Sequence, residues 1–292
     1  MIIKNLKIFL QNIWKNSLIV NTILESLTHF NIILIQEPPW SEIQKIPSSL
    51  NCEGDPLIIS VHHPNWILFA RTPSGDKDSP RVISYINICL SSFWFLLCKD
   101  IINHRDINLI FFFNNNICYY ILNIYSDSSH TTLKYLKDTE VNIDNIVLMT
   151  GDFNIRDSFW DHSFPFHSST SDDLIIIADS FDLALSSPTN PGPTRYSDMA
   201  RESNSVIDLM FLHNGSSELD HHTILPESRL SSDHTPLVID IPITEEIIQM
   251  LKLTLVPKSK QETAFIQDII LNFKHLNMSN IVNTEEIEWA VN

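Results

Sequence analysis

Positive charge is scarce in this sequence. Lysine and arginine number 19 against 35 aspartates and glutamates, which gives the 292-residue chain a formal net charge of −16. Because an acidic chain repels polyanions at long range, this composition argues against nonspecific electrostatic binding of nucleic acid. A phosphate-bearing substrate would have to be drawn by a local basic rim or by a bound metal ion.

Cysteines and long apolar runs are scarce too. The four cysteines show neither a CxxC pair nor a zinc-type spacing, which favours buried, reduced thiols in an intracellular protein; they are Cys52, Cys89, Cys98 and Cys118. The N-terminus lacks the apolar block and cleavage site of a signal peptide. The most apolar stretch, Val82–Cys98, is shorter than the roughly 20 residues that cross a bilayer. We therefore expect an intracellular protein that is not secreted and has no membrane segment.

Apolar residues are plentiful enough for a sizeable core, since 43% of the chain is hydrophobic and 18% is charged. Short apolar strands alternate with turns and a few helices, predicted over Ser17–Phe30 and Leu133–Asp144 among others. Residues 183–195 read as a loop rich in serine and proline. This pattern indicates two packed sheets flanked by helices. Beyond residue 243 the pattern becomes helical, so we expect a main domain over residues 1–243 and a helical tail over 244–292.

The stretch Asn145–Asn154 (NIVLMTGDFN) combines a buried strand with a polar end. Residues i and i+2 of extended backbone point the same way, so Asp152 and Asn154 could address one ligand while Phe153 turns into the core. A carboxylate beside a carboxamide suits an oxygen-liganded divalent cation, or an activated water next to a phosphate. A solvated Asx turn would give the same local pattern.

Several other apolar runs also end in polar residues. A solvated surface does not require such residues at the edges of the most hydrophobic strands, so their recurrence predicts a site. The strand-end residues are Asn12, Glu37, Tyr125, Asp152, Asn154, Asp208, Asp233 and His234.

Taken in order, these segments resemble the endonuclease/exonuclease/phosphatase superfamily and, within it, the endonuclease domain of non-LTR (LINE-like) retrotransposons and the apurinic/apyrimidinic endonucleases. Each motif is short, but their order and spacing are specific over most of the chain. The matching motifs are LQN (Leu10–Asn12), QEPPW (Gln36–Trp40), NIYSD (Asn123–Asp127), GDFN (Gly151–Asn154), FWD (Phe159–Asp161), PTR (Pro193–Arg195), SVIDL (Ser205–Leu209) and SDHTPL (Ser231–Leu237).

The resemblance implies an α+β fold, a four-layered α/β sandwich of two packed, mainly antiparallel β-sheets flanked by helices, as in deoxyribonuclease I. It also implies a magnesium-dependent endonuclease that nicks DNA and leaves a 3′-hydroxyl, with Mn²⁺ as an alternative ion. By the same resemblance Glu37 would be the principal metal ligand, Asn12 would assist through its side-chain oxygen, and Asp233 would be a second ligand or a structural acceptor. The family often has another polar residue two positions after Asn12, where this chain has Trp14.

The catalytic roles follow from the same resemblance. Asp208 would fix the tautomer of His234, which could then stay protonated against a phosphate or act as a base. Asp152 would orient or deprotonate the attacking water, Asn154 would hold that water or the phosphate, and Tyr125 would donate to a phosphate oxygen.

Substrate contacts are assigned to Thr194, Arg195 and Arg156. Together with Lys15, Arg201 and Arg229, the two arginines could form a local basic rim, so we expect only weak DNA binding. A reverse transcriptase module, absent from this chain, is the implied partner. We expect a monomer that works inside the cell, including the nucleus.

Three alternatives stay open at this point. The chain could be a phosphatase or small-molecule phosphodiesterase of the same fold, because fold does not settle substrate. It could be an inactive retrotransposon-derived remnant acting as a binding module. It could also be an ordinary acidic interaction domain with fortuitous motifs.

Overall fold

The computed structural model describes residues 5–40, 44–47, 56–59, 63–71, 78–90, 94–98, 101–114, 117–139, 143–197, 203–213 and 221–242. All of them lie in one compact unit, Met1–Glu245. The predicted helical tail over 244–292 falls outside the described residues, so the domain boundary at residue 243 stays a prediction. No helix within the described ranges is long and apolar enough to cross a membrane.

Strands dominate the chain. In chain order they are β1 (Asn5–Asn12), β2 (Ile32–Gln36), β3 (Gln44–Pro47), β4 (Pro56–Ile59), β5 (Trp66–Phe69), β6 (Val82–Asn87), β7 (Trp94–Leu97), β8 (Ile107–Asn114), β9 (Ile117–Tyr125), β10 (Ile146–Asp152), β11 (Leu183–Leu185), β12 (Asp208–His213), β13 (Thr223–Ile224) and β14 (Leu237–Pro242). Within the described ranges, three α-helices connect them: α1 (Ser17–Ser26), α2 (Thr131–Asp138) and α3 (Ser169–Ser180).

The strands form two six-stranded sheets. The first runs in the order β13-β14-β1-β2-β6-β5 and the second in the order β11-β12-β10-β9-β8-β7. Each sheet has one parallel pair, β1 with β2 and β10 with β9, and its other pairs are antiparallel. β3 and β4 pair with each other as a separate ribbon.

Three apolar layers hold these elements together, because side chains alternate between the two faces of each strand. The alternation is clearest in β1, where Ile8 and Leu10 face the second sheet while Phe9 packs with α1. On the far side, Leu122 of β9 packs in the layer that includes Leu174 of α3. Helix, sheet, sheet and helix therefore stack in four layers, and the predicted deoxyribonuclease I-like α+β sandwich is confirmed.

The same alternation carries polar side chains into the space between the sheets at one end. Asn12 continues the inward series of β1, and Asp208 that of β12. In the second sheet Asp152 pairs with Tyr125 of β9 on one side and with Asp208 of β12 on the other. Three polar residues thus form one row across three neighbouring strands, with Asn12 opposite them.

Some local predictions were wrong. The first helix ends at Ser26 rather than Phe30, because Phe30 leaves the helix to pack against Phe9, at 5.7 Å between ring centroids. The second helix ends at Asp138 rather than Asp144. The predicted loop over 183–195 contains β11, a three-residue edge strand paired with β12 and too short to show a strand pattern.

Candidate active site

Asn12 joins two carboxylates that come from different sheets. Its Nδ2 donates to Asp152 Oδ2 at 2.8 Å and lies 3.3 Å from Glu37 Oε2. Its Oδ1 accepts from the Trp14 N–H at 2.9 Å. An amide oxygen cannot donate and a backbone N–H cannot accept, so all three contacts fix the same orientation of this amide. The second lone pair of Oδ1 is still available to a metal ion, and the ligand role of Asn12 stays a prediction.

Glu37 follows β2 directly and adopts a left-handed backbone, with a φ of 47°. Trp14 and Lys15, in the segment after β1, have φ values of 48° and 60°. Two backbone bonds hold this region: Lys15 donates to the Glu37 carbonyl and Glu37 donates to the Arg81 carbonyl, both at 2.8 Å. Positive φ is uncommon in residues other than glycine, and strained backbone often clusters at functional sites.

Asp152 is buried, so the Asx-type hydrogen bond that it accepts from the Asn154 N–H is shielded from solvent. The pKa of Asp152 is raised to about 7, because burial and the nearby Asp208 carboxylate raise it by more than His234, Asn12 and Asn154 lower it. A carboxyl with such a pKa exchanges its proton near neutral pH, which suits a general base.

Asn154 lies beside Asp152, but its backbone is left-handed, with a φ of 52°, and not extended as the i, i+2 argument assumed, so a ligand shared by the two side chains stays a prediction. Its backbone N–H donates to Asp152 Oδ1 at 3.0 Å, and its Nδ2 donates to the Ser126 carbonyl at 2.8 Å. Phe153 is fully buried in the core between them. The bond to Ser126 fixes the amide of Asn154, so the direction of its acceptor oxygen is set by the protein.

His234 and Asp208 form a buried pair. His234 Nδ1 lies 2.9 Å from Asp208 Oδ2, and its Nε2 lies 3.8 Å from both Asp152 Oδ2 and Asp233 Oδ1. Burial alone would lower the pKa of His234, but the carboxylates, Asp208 foremost, raise it to about 9. The imidazole is therefore protonated at neutral pH and faces two further carboxylates through Nε2.

Asp233 has one paired and one unpaired oxygen. Oδ2 accepts from Arg195 Nε at 3.0 Å, while Oδ1 is buried without a hydrogen-bond partner in the described part of the chain. An orphaned carboxylate oxygen at this position suits a cation. Its assignment as a metal ligand stays a prediction.

Thr194 is buried, and its hydroxyl oxygen accepts from the backbone N–H groups of Ile207 and Asp208, both at 3.0 Å. This threonine therefore holds the start of β12. Whether it also contacts substrate stays a prediction.

Tyr125 is half-buried, with the Arg81 guanidinium 4.7 Å above its ring centroid. Burial raises the pKa of Tyr125, and the negative charges of Glu37 and Asp152 raise it further. The phenol therefore keeps its proton and can act as a hydrogen-bond donor.

The predicted basic rim is only partly available. Arg156 contacts Asp161, Ser203 and the Asn204 carbonyl, and its guanidinium also covers the Phe164 ring. The guanidinium of Arg229 stacks on Tyr196, Arg195 pairs with Asp233, and Lys15 is exposed. Arg201 lies outside the described residues. The DNA-contact roles of all these residues stay predictions.

Sequence reasoning missed Arg81 and Asp106. It considered polar residues at the ends of strands, whereas Arg81 immediately precedes β6 and Asp106 immediately precedes β8. A charged residue before a strongly apolar strand was the available signal. Arg81 contacts Asp106 and Asp127 and lies over Tyr125.

The donor set suits a divalent cation. Asp152, Asp208 and His234 offer ligand atoms within 4.8 Å of one another. Because Asp208 is bonded to His234 Nδ1, a hard ion would be held by other oxygens, and Glu37, Asp233 and the Oδ1 of Asn12 offer them. Glu37 and Asp233 are partly exposed, and their negative charge beside Asp152 suits a divalent cation.

Comparisons with known proteins agree with this fold. A family model described as endonuclease-reverse transcriptase matches residues 119–238. The endonuclease domain of TRAS1, a telomere-specific non-LTR retrotransposon, aligns at a TM-score of 0.59 and 16% identity, over 82% of this chain and 98% of that one. The AP endonuclease LMAP from Leishmania major aligns at 0.56 and 10% identity, over 82% and 89%.

At these identities the structural likeness establishes the fold, and no curated protein gives a significant match. The family model adds a sequence match over the segment that holds Tyr125, Asp152, Asp208 and His234. The resemblance indicated by the motifs is confirmed: the chain has the fold of the two endonucleases named above, and residues 119–238 are similar to the endonuclease-reverse transcriptase family.

Proposed function

We propose that this chain is a divalent-metal-dependent phosphodiesterase that nicks DNA and leaves a 3′-hydroxyl. The observation that carries the proposal is one continuous series of side chains, Glu37, Asn12, Asp152, His234 and Asp208, across the facing sides of both sheets. It supplies acidic oxygens, a proton acceptor and a proton donor at one place, which is what hydrolysis of a phosphate ester requires.

The protonation states divide the chemical roles. His234 is protonated at neutral pH, so it would donate to a phosphate oxygen rather than remove a proton from water. Asp152, with a pKa of about 7, is the better base for the attacking water. Asn154 would hold this water, and Tyr125 would donate a second hydrogen bond to the phosphate. Such fixed donors stabilise the negative charge that develops as the phosphorus is attacked.

Glu37 would hold the metal ion, with Asp233 and the Oδ1 of Asn12 as further ligands, and Mg²⁺ or Mn²⁺ suits these oxygens. When bound, the ion would neutralise charge on the phosphate oxygens. The Asn12 amide contacts both Glu37 and Asp152. It would therefore hold the metal-ligand carboxylate close to the proposed base.

DNA is proposed as the substrate because both similar structures are named as endonucleases, one from a telomere-specific retrotransposon and one an AP endonuclease. The chain itself is acidic and most of its rim arginines are already paired, so binding by the isolated protein should be weak and salt-sensitive. A 3′-hydroxyl is what a reverse transcriptase extends, so we propose such a module as the working partner.

The test is nicking of supercoiled plasmid by the purified chain. We expect relaxation that needs Mg²⁺, stops with a chelator and is lost in Asp152→Ala and His234→Ala, while Asp240→Ala, an exposed aspartate on β14, behaves like wild type. Circular dichroism confirms that the variants are folded. Near-wild-type nicking by either active-site variant, or nicking in the chelator, would contradict the proposal.

Substrate class is tested separately. Duplex with an abasic site, intact duplex and a phosphomonoester are compared at equal enzyme concentration, and nicked products are offered to a polymerase. Extension of the nicks demonstrates a 3′-hydroxyl. Turnover of the phosphomonoester alone would favour the phosphatase alternative, and no turnover of any substrate would favour the inactive remnant.

A further inference from the structure

Arg81 is a half-buried arginine that none of the roles above uses. It immediately precedes β6, and its guanidinium forms a planar, two-point contact with Asp106: Nε to Oδ1 and Nη2 to Oδ2, both 2.5 Å. Nη2 also reaches Asp127 Oδ2 at 3.0 Å. The arginine side chain is 22% exposed, whereas that of Asp106 is 1% exposed. A paired fork of this kind has little freedom to rotate.

The Arg81 guanidinium lies over the ring of Tyr125, a residue of the candidate site. Its central carbon is 4.7 Å from the centroid of the Tyr125 ring, within the range of a favourable cation–π contact. The hydroxyl oxygen of a tyrosine lies on the axis of its ring torsion, so its position is set by χ1 and by the backbone, and a flat group packed on one face of the ring limits movement about χ1. Thr132 donates to the Tyr125 carbonyl at 2.9 Å, and Tyr125 N–H donates to the Asp106 carbonyl at 2.9 Å.

The backbone of Arg81 extends the same connection to the first sheet. Its carbonyl accepts from Glu37 N–H at 2.8 Å, and its own N–H donates to the Arg105 carbonyl at 2.8 Å. Arg81 therefore touches the metal-ligand candidate through its backbone and the hydroxyl-donor candidate through its side chain. Glu37 follows a strand of the first sheet, and Tyr125 is the last residue of a strand of the second.

We propose that Arg81 is a positioning residue, which holds the Tyr125 ring so that its hydroxyl meets the scissile phosphate, with Asp106 and Asp127 holding the guanidinium in place. The inference rests on the proposed phosphodiesterase function. Because Asp106 and Asp127 occupy three of its five N–H donors, those on Nε and Nη2, and fix the guanidinium against the Tyr125 ring, we expect Arg81 to act through Tyr125 rather than by binding the phosphate.

The variant Arg81→Lys tests whether Arg81 positions Tyr125 or binds the phosphate itself. Lysine keeps the positive charge but loses the planar two-point contact of the guanidinium. Misplacing a catalytic group by about 1 Å can cost on the order of 10²-fold in rate. We expect kcat for plasmid nicking to fall about 10- to 100-fold with KM changed less than about two-fold. Arg71→Lys is the matched control, because Arg71 pairs with Asp78 at 2.8 Å and its side chain is 15% exposed.

A double-mutant cycle tests the route. In a Tyr125→Phe background, Arg81→Lys should cause no further loss, because the hydroxyl it positions is gone. Losses that multiply, or a loss confined to KM, would show that Arg81 binds substrate itself and would overturn the inference. If Arg81→Lys is poorly folded, Asp127→Asn removes one contact of the guanidinium and should give a smaller loss of kcat, which also disappears in Tyr125→Phe.

A readout without catalysis keeps the two proposals apart. In protein with isotope-labelled tyrosine rings, Arg81→Lys should shift or sharpen the ring signals of Tyr125, assigned by their absence in Tyr125→Phe, while Arg71→Lys should not. A wild type that fails to nick, but whose Tyr125 signals respond in this way, contradicts only the proposed function. A wild type that nicks and an unimpaired Arg81→Lys contradict only this inference.

Discussion

His234 Nδ1 lies 2.9 Å from Asp208 Oδ2, and both side chains are almost completely buried. Asp208→Asn removes the negative charge while keeping the shape. The imidazolium then loses its main partner and its fixed orientation, so we expect kcat for nicking to fall about 10²- to 10⁴-fold. Initial rates at several pH values measure the effect, with Asp240→Asn as the surface control. Activity within a few-fold of wild type would contradict the role of this pair.

The charge of His234 should also appear in the stability of the metal-free protein. Its folded pKa of about 9 lies above its ordinary value of 6.5, so folding favours the protonated ring. This stabilisation is fully present below about pH 6.5 and is lost as pH rises through about 9. Chemical unfolding between pH 6.5 and 9.5 should show a falling free energy of unfolding, and the fall should be smaller in His234→Gln. Parallel curves for the two proteins would count against the raised pKa.

Gly151 allows β10 to lie against β9 at the site. A Cβ added there would be 1.8 Å from the Ile124 carbonyl oxygen, and a backbone atom cannot move aside cheaply. Gly151→Ala must therefore push apart the strand ends that carry Tyr125 and Asp152. We expect a loss of at least about 1–3 kcal/mol in stability, together with lost nicking. Thermal unfolding tests this, and Gly192→Ala, where nothing lies within 4 Å of the added Cβ, is the control. An unchanged melting temperature in Gly151→Ala would be the contrary result.

Thr194 is expected to support Asp208 through backbone bonds. Thr194→Val keeps the shape and leaves two buried N–H groups, those of Ile207 and Asp208, without their acceptor. An unsatisfied buried group costs about 1–3 kcal/mol. We therefore expect lower stability in Thr194→Val and recovery in Thr194→Ser, which restores the acceptor oxygen. A valine variant as stable as wild type, measured by denaturant unfolding, would argue against this support.

The fold was largely predictable because its signals are local and repeated. Apolar runs marked most strands, and the polar residues that close them marked the end of the sandwich where the side chains meet. Strand alternation was enough to predict that Phe153 enters the core and that Asp152 points the other way, although Asp152 is buried as well. The superfamily motifs added the four-layered arrangement as in deoxyribonuclease I, which periodicity alone does not give.

Other features depend on residues far apart in sequence, and the sequence could not reveal them. Arg81 and Asp106 meet only after β6 and β8 take their places in different sheets. The Thr194 hydroxyl accepts a buried hydrogen bond from the backbone of Asp208, which lies more than ten residues later in the chain. The short strand β11 exists only because β12 offers it an edge.

The Asn12 amide, bonded to Asp152 of the opposite sheet, has a consequence for how this protein fails. A one-residue slip of β1 or β10 would turn these side chains to the helix-covered faces and separate the whole series. Molecules with such a slip could stay compact yet have no activity at all. In a destabilised preparation, the activity should therefore fall because fewer molecules are active. Each molecule that is correctly folded still turns over at the full rate.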